Sequence, residues 1–200
     1  MTINFFAVIS YALISIFTPG PSNISAASMA VVYGYKRTIH YQAGLAIGFF
    51  CVMLLSGWFS AALLSRLPFI EPILRYVGAG YILYLAVSIL KASYRYSAAE
   101  DIPEPLKLRD GITLQLLNPK LIIFTLTLFS GFLSSAVSNQ FLLLLFSLGF
   151  AALSFCSTSI WALFGAIIQI YLRQRRYAIA INFALFLSLV YIALSFIGWV

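Results

Sequence analysis

Chemistry in this chain concentrates in two short motifs. Thr18-Pro19-Gly20-Pro21 leads directly into Ser22 and Asn23, and Asn118-Pro119-Lys120 lies in the second half. Proline inside a helix removes a backbone hydrogen bond and clashes with the preceding turn, at a cost of about 3 kcal/mol. Two prolines around a glycine therefore predict an interruption, and Ser22 and Asn23 stand where capping residues would begin a second half-helix. In hydrocarbon, the backbone groups freed at such a break must line a cavity or be buried in protein. The amino end of a half-helix attracts carboxylates, and exposed carbonyls attract cations. A zwitterionic amino acid suits that pair of ends. A lone proline would read as a packing kink, but each half carries a proline motif with an asparagine beside it, which favours a site.

Lys120 has two readings. If its helix starts near Gly111, the lysine lies about 9 residues in, roughly 13 Å at 1.5 Å per residue, toward the middle of a bilayer. If the helix starts at Leu121, Lys120 marks the cytoplasmic end, because about 17 residues can just cross. A central lysine costs about 2.5–3.5 kcal/mol to insert and implies function. Tyr81 and Tyr84 sit too deep in their segment for an interfacial belt and are either cavity lining or lipid-facing filler. Gly44 and Gly48, like Gly78 and Gly80, read as contacts between closely packed helices.

The elements that must position these residues follow from composition. Of 200 residues, 62% are hydrophobic and 8% charged, against roughly a quarter charged in soluble domains. Residues 1–35 and 121–172 carry no charge. A bilayer core is crossed by about 20 apolar helical residues, so the fold class is an all-α integral membrane protein. Six transmembrane helices are expected, at about 3–33, 42–65, 72–92, 111–137, 141–170 and 178–199. Helices 1 and 4 are broken at the proline motifs. A cleaved signal peptide is disfavoured, because Met1-Thr2-Ile3-Asn4 has no Lys or Arg and the apolar run continues past any cleavage point. Cys51 and Cys156 read as small apolar residues rather than a disulfide or metal site. Asn23-Ile24-Ser25, formally a glycosylation acceptor, lies in an apolar stretch.

Lys and Arg in loops set orientation. Ten of the twelve fall on one side: Lys36, Arg37, Lys91, Arg95, Lys107, Arg109, Lys120, Arg173, Arg175 and Arg176. Arg66 and Arg75 remain on the other. Both termini are then expected outside, with the basic loops resting against anionic lipid headgroups. Nucleic acid is excluded as a partner, since short loops offer no basic groove with stacking aromatics.

The halves also resemble each other. Gly44 and Cys51 match Gly149 and Cys156 at an offset of 105, and Tyr84–Leu90 matches Tyr191–Ile197 at 107. The chain thus reads as a single membrane domain, 1–200, with repeat one at about 1–92, a cytoplasmic linker at about 93–110 and repeat two at about 111–200. A three-helix unit has odd parity, so the copies are inverted. Inverted repeats with broken helices at the midplane characterise secondary transporters.

At Thr18-Pro19-Gly20-Pro21 with Asn23, Gly44 and Gly48, Gly80-Tyr81 through Tyr84-Leu85, and Asn118-Pro119-Lys120 with Phe124, the chain resembles the LysE/RhtB family of bacterial amino-acid exporters. Within it, the RhtB branch near the cysteine and O-acetylserine exporters is most similar. The resemblance covers essentially the whole chain. It implies export of amino acids or close derivatives across the bacterial inner membrane, driven by the proton motive force. It also marks Thr18, Pro19, Gly20, Pro21, Asn23, Tyr81, Tyr84, Asn118, Pro119 and Lys120 as substrate-binding candidates. Two departures bear on the cargo: Ser22 stands where members often have Asn, and Phe129-Ser130-Gly131 lacks a proline often found there.

The expected spans contain no Asp or Glu. A second positive charge on the cargo would call for an intramembrane acid, so small neutral amino acids are expected: cysteine, O-acetylserine, threonine or homoserine, or leucine. If protons are the coupling ion, Lys120, Asp110 or the cargo itself must carry them. No cofactor is expected, nor a metal site, because the sole histidine, His40, lies in a loop. Hydrolysis is excluded for want of a nucleophile–base pair. A membrane assembly or scaffold protein without transport is the alternative reading, and the chain size allows a homodimer.

Overall fold

The computed structural model describes residues 5–59, 70–97, 104–133, 139–171 and 175–196, with no strand among them. Among the described residues eight α-helices follow in order. They are α1 Phe5–Phe17, α2 Pro21–Tyr33, α3 Tyr35–Trp58, α4 Ile70–Ser97, α5 Leu108–Leu116, α6 Pro119–Thr127, α7 Gln140–Tyr171 and α8 Arg175–Phe196. A π-helical turn, Leu128–Phe132, continues α6. Tyr35–Trp58 and Gln140–Ile168 are long and apolar enough to cross a membrane, with mean hydropathy 1.6 and 2.0.

Several boundaries differ from the sequence expectation for local reasons. The expected loop before the second span, including Lys36, Arg37 and His40, is helical. Gly34 alone separates α2 from α3, with φ 76° and its N–H bonded to Ala30 O at 2.9 Å. That left-handed φ is open to glycine at little steric cost, so the chain turns in one residue and α3 starts at Tyr35. Ser22 and Asn23 do not cap α2: its N-cap is Gly20, which makes no side-chain bond. Arg66 lies outside the described residues, as does Arg173.

Two apolar clusters form the interior. One gathers Val8 and Ala12 of α1, Phe49 and Met53 of α3, Leu121 and Phe124 of α6, and Leu143 and Phe150 of α7. The other gathers Ile24 and Met29 of α2, Tyr41 and Leu45 of α3, Leu85 of α4, Leu114 of α5, Ala162 of α7 and Leu189 of α8. The chain passes from the first cluster to the second between α1 and α2, and from the second to the first between α5 and α6. Each interruption sits at such a passage. Tyr11 stacks on Phe124 at 5.3 Å, and Phe150 meets Phe124 edge-on at 6.5 Å, so α1, α6 and α7 share one aromatic contact.

Outward faces are apolar as well. Phe6, Phe141, Leu145, Phe164 and Tyr191 are more than half exposed. Large apolar side chains this exposed suit contact with hydrocarbon.

Small residues bring backbones together. A Cβ on Gly44 would overlap the Leu108 carbonyl, and one on Gly111 would overlap the Tyr41 carbonyl. Glycine on both sides therefore lets α3 and α5 touch along their backbones. Gly165 does the same for α7 against Ala27. Gly80, expected to mediate packing, instead faces open space, because α4 turns that side outward.

Candidate functional site between the helix interruptions

The last carbonyls of a helix lack intrahelical partners, and at the end of α1 each of them finds a donor. Ile14 O accepts from Thr18 N at 3.1 Å, and Ser15 O accepts from Thr18 Oγ1 at 3.1 Å. Ile16 O accepts from Asn23 Nδ2 at 2.8 Å and from Ser157 Oγ at 3.0 Å. Phe17 O accepts from the Trp161 indole at 3.2 Å. Thr18 O accepts from Asn23 Nδ2 at 3.0 Å. Asn23 Oδ1 lies 3.3 Å from the same Ser157 Oγ and shares its single hydrogen with Ile16 O. Asn23 therefore ties the end of α1 to α7, with both amide hydrogens committed to backbone.

Pro21 then opens α2, where its missing N–H is no loss, and Ile24 N closes the first turn on Gly20 O at 2.9 Å. Gly20 is extended, with φ −163°, a backbone any residue adopts, and it lies against the Lys120 side chain. A Cβ there would meet Lys120 Nζ at 3.0 Å and Lys120 Cδ at 3.2 Å.

The second interruption is built differently. Asn118 caps α6 through its own side chain, Oδ1 accepting from Leu121 N at 3.4 Å, and Pro119 opens the helix. Asn118 Nδ2 donates to Gln115 Oε1 at 3.0 Å and to Ser22 Oγ at 3.4 Å. Ser22 Oγ donates to Gln115 Oε1 at 2.9 Å. These contacts lock the end of α5 to the start of α2.

Lys120 joins the two. From the first turn of α6 its ammonium donates to Thr18 Oγ1 at 3.0 Å and to the carbonyls of Thr18 and Pro19, both at 3.3 Å. The carbonyl end of α1 thus supplies the negative pole that a lysine in an apolar setting needs. Among the described residues no carboxylate pairs with it. Beside this junction lies a small open cavity of about 40 Å³, lined in part by Thr18, Gly20, Asn23, Gln115, Asn118 and Lys120. Among the described residues no acidic side chain lines it, so the fixed charge they bring is positive and a carboxylate is the natural guest.

Of the residues singled out in the sequence, Thr18, Gly20, Pro21, Asn23, Asn118 and Lys120 line the cavity. Pro19 touches the site through its carbonyl, and buried Pro119 serves to start α6. Tyr81 and Tyr84 are not brought to it. Tyr81 donates to Asp110 O at 3.0 Å, bracing α4 against α5, while Tyr84 is 60% exposed on the outer face. Three residues that matter here had no motif to announce them: Gln115, Ser157 and Trp161. Their signal is faint. Gln115 is a lone amide three residues before Asn118, and Ser157 and Trp161 are four apart, on one face of a helix.

With this geometry, likeness to known proteins can be weighed. A model of the LysE type translocator family matches residues 13–198. The cysteine/O-acetylserine efflux protein of Salmonella typhi is 34% identical over 185 residues, covering 92% of each chain. Its counterpart from Escherichia coli O1:K1 is 32% identical over 184 residues, again 92% of each. That of Klebsiella pneumoniae is 31% identical over 178 residues, covering 87% of this chain and 90% of the relative. No solved structure matches. The family match spans nearly the full length and includes both interruptions, so this chain belongs to the LysE-type translocators, a family of membrane transport proteins.

Proposed function

We propose that this protein exports small neutral amino acids or their derivatives from the bacterial cytoplasm across the inner membrane. The cargo class includes cysteine and O-acetylserine, and export is coupled to the proton motive force. The observation that carries the proposal is Lys120, which reaches from the second interruption to the carbonyls of the first at the wall of an open cavity. A cargo carboxylate entering the cavity competes for that ammonium, and charge-assisted bonds of this kind are about twice as strong as neutral ones. The absence of acids from the lining disfavours cargo with a second positive charge. The names of the relatives support the same cargo class.

In this reading α1–α2 and α5–α6 are the broken first spans of two inverted repeats. Support comes from the two apolar clusters: α1–α2 runs from the first to the second, and α5–α6 runs from the second to the first. α3 and α7 are opposed in the same way. Ten of the twelve basic residues then face the cytoplasm and both termini face outward. Asn23 positions the broken end rather than reading cargo, since its amide is already committed. Asp110 closes the first turn of α5, accepting from Lys107 N at 2.7 Å, and does not line the cavity. The coupling proton is thereby left to Lys120 and the cargo's own groups.

Purified protein in proteoliposomes loaded with radiolabelled amino acids tests this. Neutral cargo should leave faster than from protein-free vesicles, and faster still with an imposed proton gradient. Preferential efflux of arginine, or no efflux of any amino acid, would overturn the proposal. Orientation is read by single-cysteine labelling: residues 100 and 174 should react only from inside, and residue 139 from outside.

A further inference from the structure

Gln115 carries a donor that the fold leaves over. The orientation of its amide follows from the helix cap beside it. Leu121 N can only donate, so the Asn118 atom facing it must be oxygen. The other end of Asn118 is then the amino group, and it donates toward Gln115 at 3.0 Å. The Gln115 atom receiving that bond, and another from Ser22 at 2.9 Å, must be Oε1. Nε2, with two N–H groups, takes part in neither bond.

No group among the described residues accepts from Nε2, although Gln115 is only 2% exposed. The atom is not sealed in. Among the described residues, the buried side-chain atoms without a partner are Ser28 Oγ and Ser147 Oγ, while Gln115 lines the cavity. Its backbone end is fixed too: a Cβ on Gly48 would lie 2.7 Å from Gln115 Cβ, so α3 leaves the side chain no room to retreat. A donor left without a protein partner calls for an acceptor, and the cavity is where one can reach it.

We propose that Gln115 determines specificity by donating from Nε2 to an acceptor oxygen on the cargo's side chain. This rests on the export reading above. Lys120 and Gln115 lie on either side of the Gly20-Pro21 corner, the first bonded to Thr18 and Pro19 and the second to Ser22. A small amino acid whose carboxylate meets the ammonium spans that corner and presents its side chain to the amide. An ester or amide carbonyl accepts well, whereas a thiol accepts weakly, so Gln115 favours acylated or otherwise oxygen-bearing side chains over a thiol.

The test is efflux of O-acetylserine and of cysteine from the same proteoliposomes, read as the ratio of their kcat/KM values. Wild-type protein that moves neither cargo would refute the export reading, which separates that failure from this one. Gln115→Met removes the donor at similar volume. Gln115→Glu keeps an oxygen for Ser22 and Asn118 but replaces the free amide nitrogen by an acceptor. Both should lower the O-acetylserine-to-cysteine ratio by about tenfold, the loss of one good hydrogen bond. If Gln115→Met does not insert, the ratio for Gln115→Glu decides alone. An unchanged ratio, or a ratio that falls in Gln115→Met but not in Gln115→Glu, would overturn the proposal.

Discussion

At the first interruption, the carbonyls of Ile16, Phe17, Thr18 and Pro19 are met by Asn23, Ser157, Trp161 and Lys120. Three of those four donors come from α6 and α7, far along the chain. At the second, Asn118 caps its own helix and reaches only to Gln115 and Ser22. One break is propped by the folded protein, and the other is written mostly into its own sequence. The difference shows where motion can be built in: a helix end held by distant side chains can be released by moving those side chains, whereas a self-capped end moves as a unit. Lys120 stands on the rigid side and grips the propped side.

Breaking the props should cost more than breaking the cap. Asn23→Ala removes two donations and an acceptor and should destabilise the protein by about 2–3 kcal/mol. Guanidinium or SDS denaturation in detergent measures it. Trp161→Phe leaves the Phe17 carbonyl without its indole donor and should cost about 1–2 kcal/mol. Asn118→Ala removes a helix cap with a long 3.4 Å bond and two donations, but Ser22 and Gln115 keep each other as partners, so it should cost about 1–2 kcal/mol. Ser157→Ala should cost least, about 0.5 kcal/mol, because Asn23 still serves Ile16 O. An Asn118→Ala loss larger than that of Asn23→Ala would reverse the comparison.

What the sequence made legible divides along the same line. Proline acts on its own turn, so the helix starts at Pro21 and Pro119 could be read locally, as could the apolar, charge-poor helical class. Asn23 was expected to cap the helix it belongs to, yet it serves the helix before it. That choice depends on Ser157 and Trp161, which a local pattern does not connect to residue 23. Tyr81 and Tyr84 were legible only as aromatics in a span, because which face of α4 meets α8 and which meets lipid is settled by packing. Gly34 falls in the gap expected between the first two spans, and its left-handed φ shortens that gap to one residue. Gln115 is one polar residue among apolar ones, and its importance arises from the orientation of a neighbouring cap.

The most direct test of the central claim, that Lys120 works in the cavity rather than resting at a membrane surface, is cargo efflux by Lys120→Arg and Lys120→Met. Arginine keeps the charge but replaces a compact ammonium with a planar fork of far higher proton affinity, and Gly20 leaves space fitted to lysine, its missing Cβ only 3.0 Å from Nζ. Both variants should reach the membrane at wild-type levels and lose most of their efflux. Lys120→Arg exporting at the wild-type rate would contradict the account.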